Sequence, residues 1–469
     1  MLERLKSLLL LVLIGICIRF TGLYFSRVHA PAPLLVAPAP SLVELPEEEV
    51  PSSYIDLFAP QYMLVHNYDD HYCIDAEQEQ YQKLWEALKA AVDEAKNSVE
   101  ASKAELIPIK AADWQRAALL SYEYRYAGPL QFHYWWLAAS KATLQRFPEE
   151  VYFNRILIPL GESSIYLMNT RTEEMWRWRW ADEANANLFP SISRLNLGSS
   201  QRARVARLPE GVQLVPGSQI YTPQGTLTKP EILASLPISE ANKASIVKRF
   251  FSITPRMHKT DSLGNGVIVE NYITARQQVL SLHNTGLIHY TENPPKPPAG
   301  APGGTTVEQF QQVFNFVLSR GGWPKGAVSA GMEPIPSGTD KPGYRFQFVQ
   351  LYGGVPVIDF VPTLSIEVVP GGVKSYHRLL YNIIKPGYFQ FQVRGVEDAL
   401  AQAAPAIGSR KVSDVYLAYY QRPYILSEDA PFRSDPMYLY PVWAIELSDG
   451  DQLLVHAYKL LNDPGLIKP

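Results

Sequence analysis

A chain of 469 residues is long enough for two or three domains, each with its own core. Apolar residues make up 46% and charged residues 19%, a balance that excludes an intrinsically disordered chain. The formal charge is only -3, so bulk electrostatics makes no case for nucleic acid or for a strongly acidic partner.

The first predicted element is a membrane anchor in residues 1–27. Arg4 and Lys6 precede an apolar run from Leu8 to Ile18; Arg19 interrupts it, and Phe20 to Phe25 resume it. Residues 8–25 make about 27 Å of helix at 1.5 Å per residue. The basic flank places the N-terminus in the cytoplasm and the bulk outside it, as a single-pass protein of the cell membrane. Cleaved export is the rival reading, because Ala30-Pro31-Ala32 and Ala37-Pro38-Ala39 have the spacing of peptidase sites. Pro33 and Pro40 follow them directly and oppose cutting, so retention is the expectation. Cys17 lies in the anchor and Cys73 beyond it, so the exported part has no internal disulfide.

Residues 28–53 carry six prolines and the run Glu47-Glu48-Glu49, and read as a stiff extended tether. An α+β region follows over 54–292. Its first strand is 62–66. Leu84, Leu88, Val92, Ala95 and Val99 then recur at helical spacing within 75–104. A short strand at 106–109 leads to a helix at 111–119, with Asp113 as its cap. Residues 130–136 read as strand, and 151–159 and 163–169 as a hairpin around Gly161. Trp176-Arg177-Trp178-Arg179-Trp180 alternates strictly, which puts the indoles on one face of a strand. Helices are expected at 230–236 and 241–251, then strands at 257–263, 267–272 and 287–291.

The Pro- and Gly-rich stretch 293–304 reads as a linker, with a second domain at 305–469. There a helix at 307–318 precedes strands at 344–351, 355–357, 363–369 and 373–381. A helix at 396–403 precedes strands at 412–420, 438–447 and 452–458. The fold class expected is α+β: an N-terminal transmembrane helix, then mixed helical and antiparallel-sheet domains. The C-terminal domain is a duplicated unit of one helix on an antiparallel sheet.

Motifs of catalysis are missing: there is no GxSxG, HExxH, Walker loop, GxGxxG or EF-hand loop. Cys73 has His66 and His71 nearby, but a lone Cys is most often an incidental small residue. His66, Asp69, Asp70, His71 and Asp75 are metal-binding by type, at no template spacing. His258, His283 and His289 read as structural groups; His377, Asp359 and Glu367 surround one hairpin without implying a nucleophile or an acid pair. Trp135-Trp136, the Trp176 to Trp180 ladder and Tyr419-Tyr420 read as packing first and partner contact second. No catalytic, cofactor-binding or metal residue is assigned, and no cofactor is expected.

Several runs resemble a known family. Glu3-Arg4-Leu5-Lys6-Ser7-Leu8-Leu9-Leu10-Leu11 at the start is similar to the N-terminus of YycH-type proteins, as are Val267 to Ile273 and His289-Tyr290-Thr291-Glu292-Asn293-Pro294. The runs Gly354-Val355-Pro356-Val357, Leu364 to Val368, Pro441-Val442-Trp443-Ala444-Ile445 and Val455-His456-Ala457-Tyr458 resemble both YycH and its partner YycI, and the Gly-Val-Pro-Val hairpin followed by an alternating strand is also similar to the PepSY-related domains. The resemblance implies a non-enzymatic regulator of the WalK (YycG) sensor histidine kinase. Its implied partners are a YycI-like membrane protein, the kinase and, through the N-terminal helix, the lipid bilayer; the process controlled is cell-wall metabolism. A PepSY-type extracytoplasmic binding or protease-inhibitory module is the alternative.

Overall fold

The computed structural model describes residues 48–49, 54–97, 105–132, 151–179, 192–235, 238, 240–251, 254–262, 267–294, 306–337, 342–358, 363–380, 382–422, 437–458 and 466–467. All of them belong to one compact unit that begins at residue 45.

The first half builds a sheet from β1 (Tyr62–Asn67), β2 (Asp70–Asp75), β3 (Glu105–Pro108), β4 (Leu120–Gln131), β5 (Tyr152–Pro159), β6 (Ser164–Asn169), β7 (Glu174–Arg179), β8 (Gln201–Val205) and β9 (Tyr221–Pro223). Their order across the sheet is β9-β8-β2-β1-β4-β5-β6-β7-β3, every neighbouring pair antiparallel. Two helices accompany it, α1 (Glu79–Asn97) and α2 (Ala111–Ala117). Strand alternation sorts side chains between the two faces of this sheet. Met63, Val65, Tyr122, Tyr124, Ile156 and Ile158 share one core with Leu84, Leu88 and Val92 of α1. The Tyr124 hydroxyl donates to the Leu84 carbonyl of that helix at 3.0 Å. Residues between them in sequence face the other way, and those include charges.

A second sheet takes β10 (Leu227–Ser235), β11 (Met257–Ser262), β12 (Ile268–Ile273), β13 (Val279–His283), β14 (Leu287–Thr291), β15 (Ala327–Ile335), β16 (Gly343–Tyr352), β17 (Val355–Ile358), β18 (Leu364–Val369), β19 (Gly372–Leu379), β20 (Asn382–Val393), β21 (Lys411–Arg422), β22 (Met437–Leu447) and β23 (Gln452–His456). Its path runs β11-β12-β13-β14-β19-β18-β16-β17-β21-β22-β10-β20, with β15 beside β16 and β23 beside β22. The helices of this half are α3 (Glu240–Phe250), α4 (Thr306–Ser319) and α5 (Val396–Ile407). Helix α4 lies on β16, β18 and β19, and α5 on β21, β22 and β23. Because β14 pairs with β19, this sheet runs from one side of the 293–304 stretch to the other.

The two halves touch at a point where the first leaves no room for a side chain. Strand β4 is bulged between Arg125 and Leu130, and β15 between Ser329 and Gly331. The bulges oppose each other, and a Cβ on Gly128 would overlap the carbonyl oxygen of Ala330.

Periodicity predicted most elements correctly, but of residues 230–236, expected as helix, 230–235 are strand and 236 lies outside the described residues. Ile232 and Ala234 are buried at a period of two, and Pro230 sits at a bulge in β10, where its missing N–H is tolerated. Strand formation also starts earlier than expected around residue 130, at Leu120. One correction concerns the class itself. The described residues form mixed helix and sheet, as expected of an α+β chain, but no helix among them is long and apolar enough to cross a membrane. Even α1, at 19 residues, is amphipathic, with Glu and Lys interleaved among its apolar positions. The expected transmembrane helix, and the single-pass location that depended on it, are therefore dropped. The segment 8–25 that suggested both lies outside the described residues, as does most of the 28–53 tether.

Gly128→Ala is expected to cost about 3 kcal/mol or more, because two backbones must separate to admit one methyl group. Urea denaturation monitored by far-UV circular dichroism measures it, and a loss below about 1 kcal/mol would show that the contact is not tight.

Candidate functional site

The reverse face of the first sheet carries His66 from β1, Glu123 and Arg125 from β4, and Arg155 from β5. All are essentially without solvent contact, and they meet Asp414 of β21 in the second sheet. Arg125 is the hub. Its Nε donates to Glu123 Oε1 at 2.8 Å, and its Nη1 to Asp414 Oδ1 at 2.8 Å and to the Tyr62 hydroxyl at 3.0 Å. Its Nη2 donates to the Gln219 carbonyl at 2.9 Å. Arg155 Nη2 donates to the Ser413 carbonyl at 2.6 Å, with Asp414 Oδ1 3.6 Å away and Glu123 Oε1 3.7 Å from its Nη1. Two carboxylates and two guanidiniums thus close a neutral, buried cluster that ties the sheets together.

Histidines extend the cluster toward the surface. His66 Nε2 donates to Glu123 Oε2 at 3.0 Å, and the Nδ1 atoms of His66 and His71 lie 3.1 Å apart, joined by a hydrogen bond. The Tyr221 ring packs on both imidazoles. Burial alone would raise the Glu123 carboxyl, but Arg125, the His66 hydrogen bond and Arg155 outweigh it and hold the group well below the usual carboxylate range. Burial and the neighbouring His66 push His71 down to about 4. Directly opposite Asp414 in the β21–β22 register sits Glu446. Both guanidiniums are engaged by Asp414 and Glu123, and burial lifts Glu446 to about 7, against the pull of Arg171 and with a further push from Asp414. Its Oε1 accepts from the Tyr416 hydroxyl at 3.2 Å.

Beside the cluster the sheets part and leave a cavity of about 130 Å³, walled by β1, β2, β8 and β9 on one side and by β10, β17, β21 and β22 on the other. Cys73 lines it, yet burial and then Asp75 raise its thiol to about 12, which leaves almost no thiolate at neutral pH. His66 and His71 are therefore brought together, but as supports of Glu123 and not as activators of Cys73. Asp69 stays in the exposed turn after β1 and Asp70 at the exposed start of β2, and no group of three or more His, Cys, Asp or Glu side chains among the described residues is placed to hold a metal. His283, His289 and His377 share one face of the second sheet; the rings of His289 and His377 stack at 3.9 Å. Exposed His258 stacks on Tyr272 at 4.5 Å. Glu367 takes Arg345 and Lys374, and Asp359 lies outside the described residues. Trp178 is fully buried against Phe132, and Tyr419 and Tyr420 are core residues, so these aromatics pack inward. Residues 133–150, which hold Trp135 and Trp136, are outside the described residues.

Sequence reasoning missed Glu123, Arg125, Arg155 and Asp414. One local signal was present: in Tyr122-Glu123-Tyr124-Arg125-Tyr126 the charges alternate with aromatics, so a strand that buries the tyrosines on one side must find partners for the charges on the other.

No protein-family model matches this chain, and no curated protein matches its sequence. Among solved structures, YycH from Bacillus subtilis is similar in fold, with a TM-score of 0.55 at 14% identity over 87% of this chain and 98% of that one. An uncharacterized protein from Eubacterium rectale aligns more loosely, with a TM-score of 0.34 at 10% identity over 56% of this chain and 87% of that one. The first similarity shows that this chain and YycH share a fold.

Two outcomes test the cluster. Asp414→Asn leaves two buried guanidiniums sharing one carboxylate and is expected to cost about 3–5 kcal/mol of stability, read by chemical denaturation. Glu446 has a folded pKa raised above its unfolded one, so its contribution is fully present below about pH 4.5 and fades as pH rises through about 7. Glu446→Gln should accordingly gain melting temperature relative to the parent chain between pH 5 and pH 8, and an unchanged difference would refute the assignment.

Proposed function

We propose that this chain is a non-enzymatic regulator that acts by protein–protein contact in a two-component system, on a sensor histidine kinase of the WalK (YycG) type and together with a YycI-like partner. The observation that carries the reading is the correspondence of fold with Bacillus subtilis YycH across 87% of the chain, joined to the sequence runs that resemble the same family. Control of cell-wall metabolism is the process that the resemblance implies. The C-terminal part from residue 305 is the portion proposed to correspond to YycI.

The interior agrees with a binding role. Each charged group of the inter-sheet cluster is spent on another group of the same cluster, and the nearby thiol is held protonated. Such an arrangement stiffens a body without leaving a base or a nucleophile poised for substrate. A stiff body regulates a kinase by binding one of its conformations better than another; a differential of about 1.4 kcal/mol shifts the population ratio tenfold.

Affinity purification of the full chain from its native cells, with chemical crosslinking and mass spectrometry, is expected to recover a sensor histidine kinase and a YycI-like protein. Recovery of neither, with the chain itself abundant and folded, would sink the proposal.

A further inference from the structure

The cavity beside the charge cluster has the chemistry of a ligand site. Its walls are mostly apolar, from Leu64, Ala203, Leu227, Val355, Leu417 and Trp443. At about 130 Å³ it is close in size to engineered cavities that accept benzene, so a body of four to six carbons fits. Most polar tips around it are already engaged. The Tyr62 hydroxyl serves Asp414 and Arg125, the Tyr221 hydroxyl donates to Gln219 Oε1 at 2.6 Å, and Trp443 Nε1 donates to the Arg394 carbonyl at 3.0 Å.

Three lining groups remain. Gln61 is only 2% exposed, and its side-chain amide has no hydrogen-bond partner among the described residues. Asp75 accepts one bond, from the Glu77 backbone N–H at 3.3 Å, and Lys229 forms no ion pair with any described residue. Both line the same cavity as Cys73, Asp75 from the first sheet and Lys229 from the second, and of the two Asp75 raises the thiol's pKa while Lys229 lowers it. They do not pair with each other. The turn at Gly353 and Gly354, with φ of +58° and +69°, packs against Asp75 and holds that carboxylate at the rim.

We infer that this cavity binds a free apolar α-amino acid, its ammonium on Asp75, its carboxylate on Lys229 and the Gln61 amide, and its aliphatic side chain in the apolar body. A ligand with a single charge leaves either Asp75 or Lys229 half-buried and unpaired; a zwitterion satisfies both with charge-assisted hydrogen bonds. The inference goes beyond the regulatory role proposed above and stands without it.

Isothermal titration calorimetry on the full chain with L-leucine, isovalerate and isoamylamine separates the possibilities. Leucine is expected to bind at least about tenfold more tightly than either one-charge analogue. Lys229→Met should cost leucine and isovalerate about tenfold and leave isoamylamine unchanged. Asp75→Asn, which keeps an acceptor for the Glu77 N–H, should do the reverse. Ala203→Leu fills the cavity and should remove all binding while the chain keeps its circular dichroism spectrum and melting transition. The inference is overturned if no member of the panel binds at millimolar concentration, if the three bind alike, or if folded Ala203→Leu still binds leucine.

Discussion

Everything in this structure is arranged around the contact of Arg125 with Glu123 and Asp414. Moving four charged side chains out of water costs several kcal/mol per ion, and only close geometry offsets that cost. The geometry here needs β1, β4 and β5 in register on one side and β21 in register on the other. A slip of one residue in β4 would turn Glu123 and Arg125 into the α1-facing core and bring Tyr122 and Tyr124 against Asp414. The cluster thereby selects a single pairing of the two sheets, a task that apolar contacts, being non-directional, perform poorly. It also accounts for Glu446. With both guanidiniums committed, a second carboxyl beside Asp414 has no full cation of its own, and burial keeps it partly protonated near neutral pH.

The second inter-sheet contact has no charge and works by the absence of side chains. Gly128 and Ala330 bring two bulged strands into backbone contact, and the bulges that make this possible interrupt the ladders on both sides. The clamp and the glycine contact act together with a shared apolar core and with the Lys411–Glu173 and Arg204–Glu397 ion pairs to fix how the halves meet. The cavity opens beside the clamp, between β2 and β17, and Gln61, Asp75 and Lys229 of its lining take no part in the clamp.

What could be read from sequence, and what could not, follows from the range over which each force acts. Helices α1, α3, α4 and α5 were legible because a 3.6-residue period is local: Phe310, Val313 and Val317 announce their own face. Hairpins such as β5–β6 and β18–β19 were legible for the same reason, with Gly161 or Gly371-Gly372 marking the turns. Strand β10 was not, because Pro230 and Glu231 mask the period of two that Ile232 and Ala234 reveal once burial is known. The clamp was the least legible feature. Arg125 and Asp414 are separated by 289 positions, and neither sits in a motif. Sequence reasoning looked for chemistry among neighbours and found Cys73, His66 and His71, whereas the structure uses the two histidines to support a carboxylate and leaves the thiol inert.

A likeness of fold at 14% identity shows which constraints persist when side chains change. Sheet order and helix placement depend on periodicity, which many sequences satisfy; a four-group charge cluster depends on specific residues at specific registers. The fold alone therefore says that this body can be built in more than one way, and the cluster says how this chain builds it. Function in a protein whose inter-sheet charge cluster is internally matched has to be sought where matching is incomplete. Among the described residues that means surfaces, where a partner completes what the chain leaves open, and the rim where Gln61, Asp75 and Lys229 face a cavity without facing each other. A regulator that works by contact requires the first. A small ligand that bridges the two sheets would give such a regulator a means of altering its own stiffness, since filling the cavity adds to the clamp one more contact between the same halves.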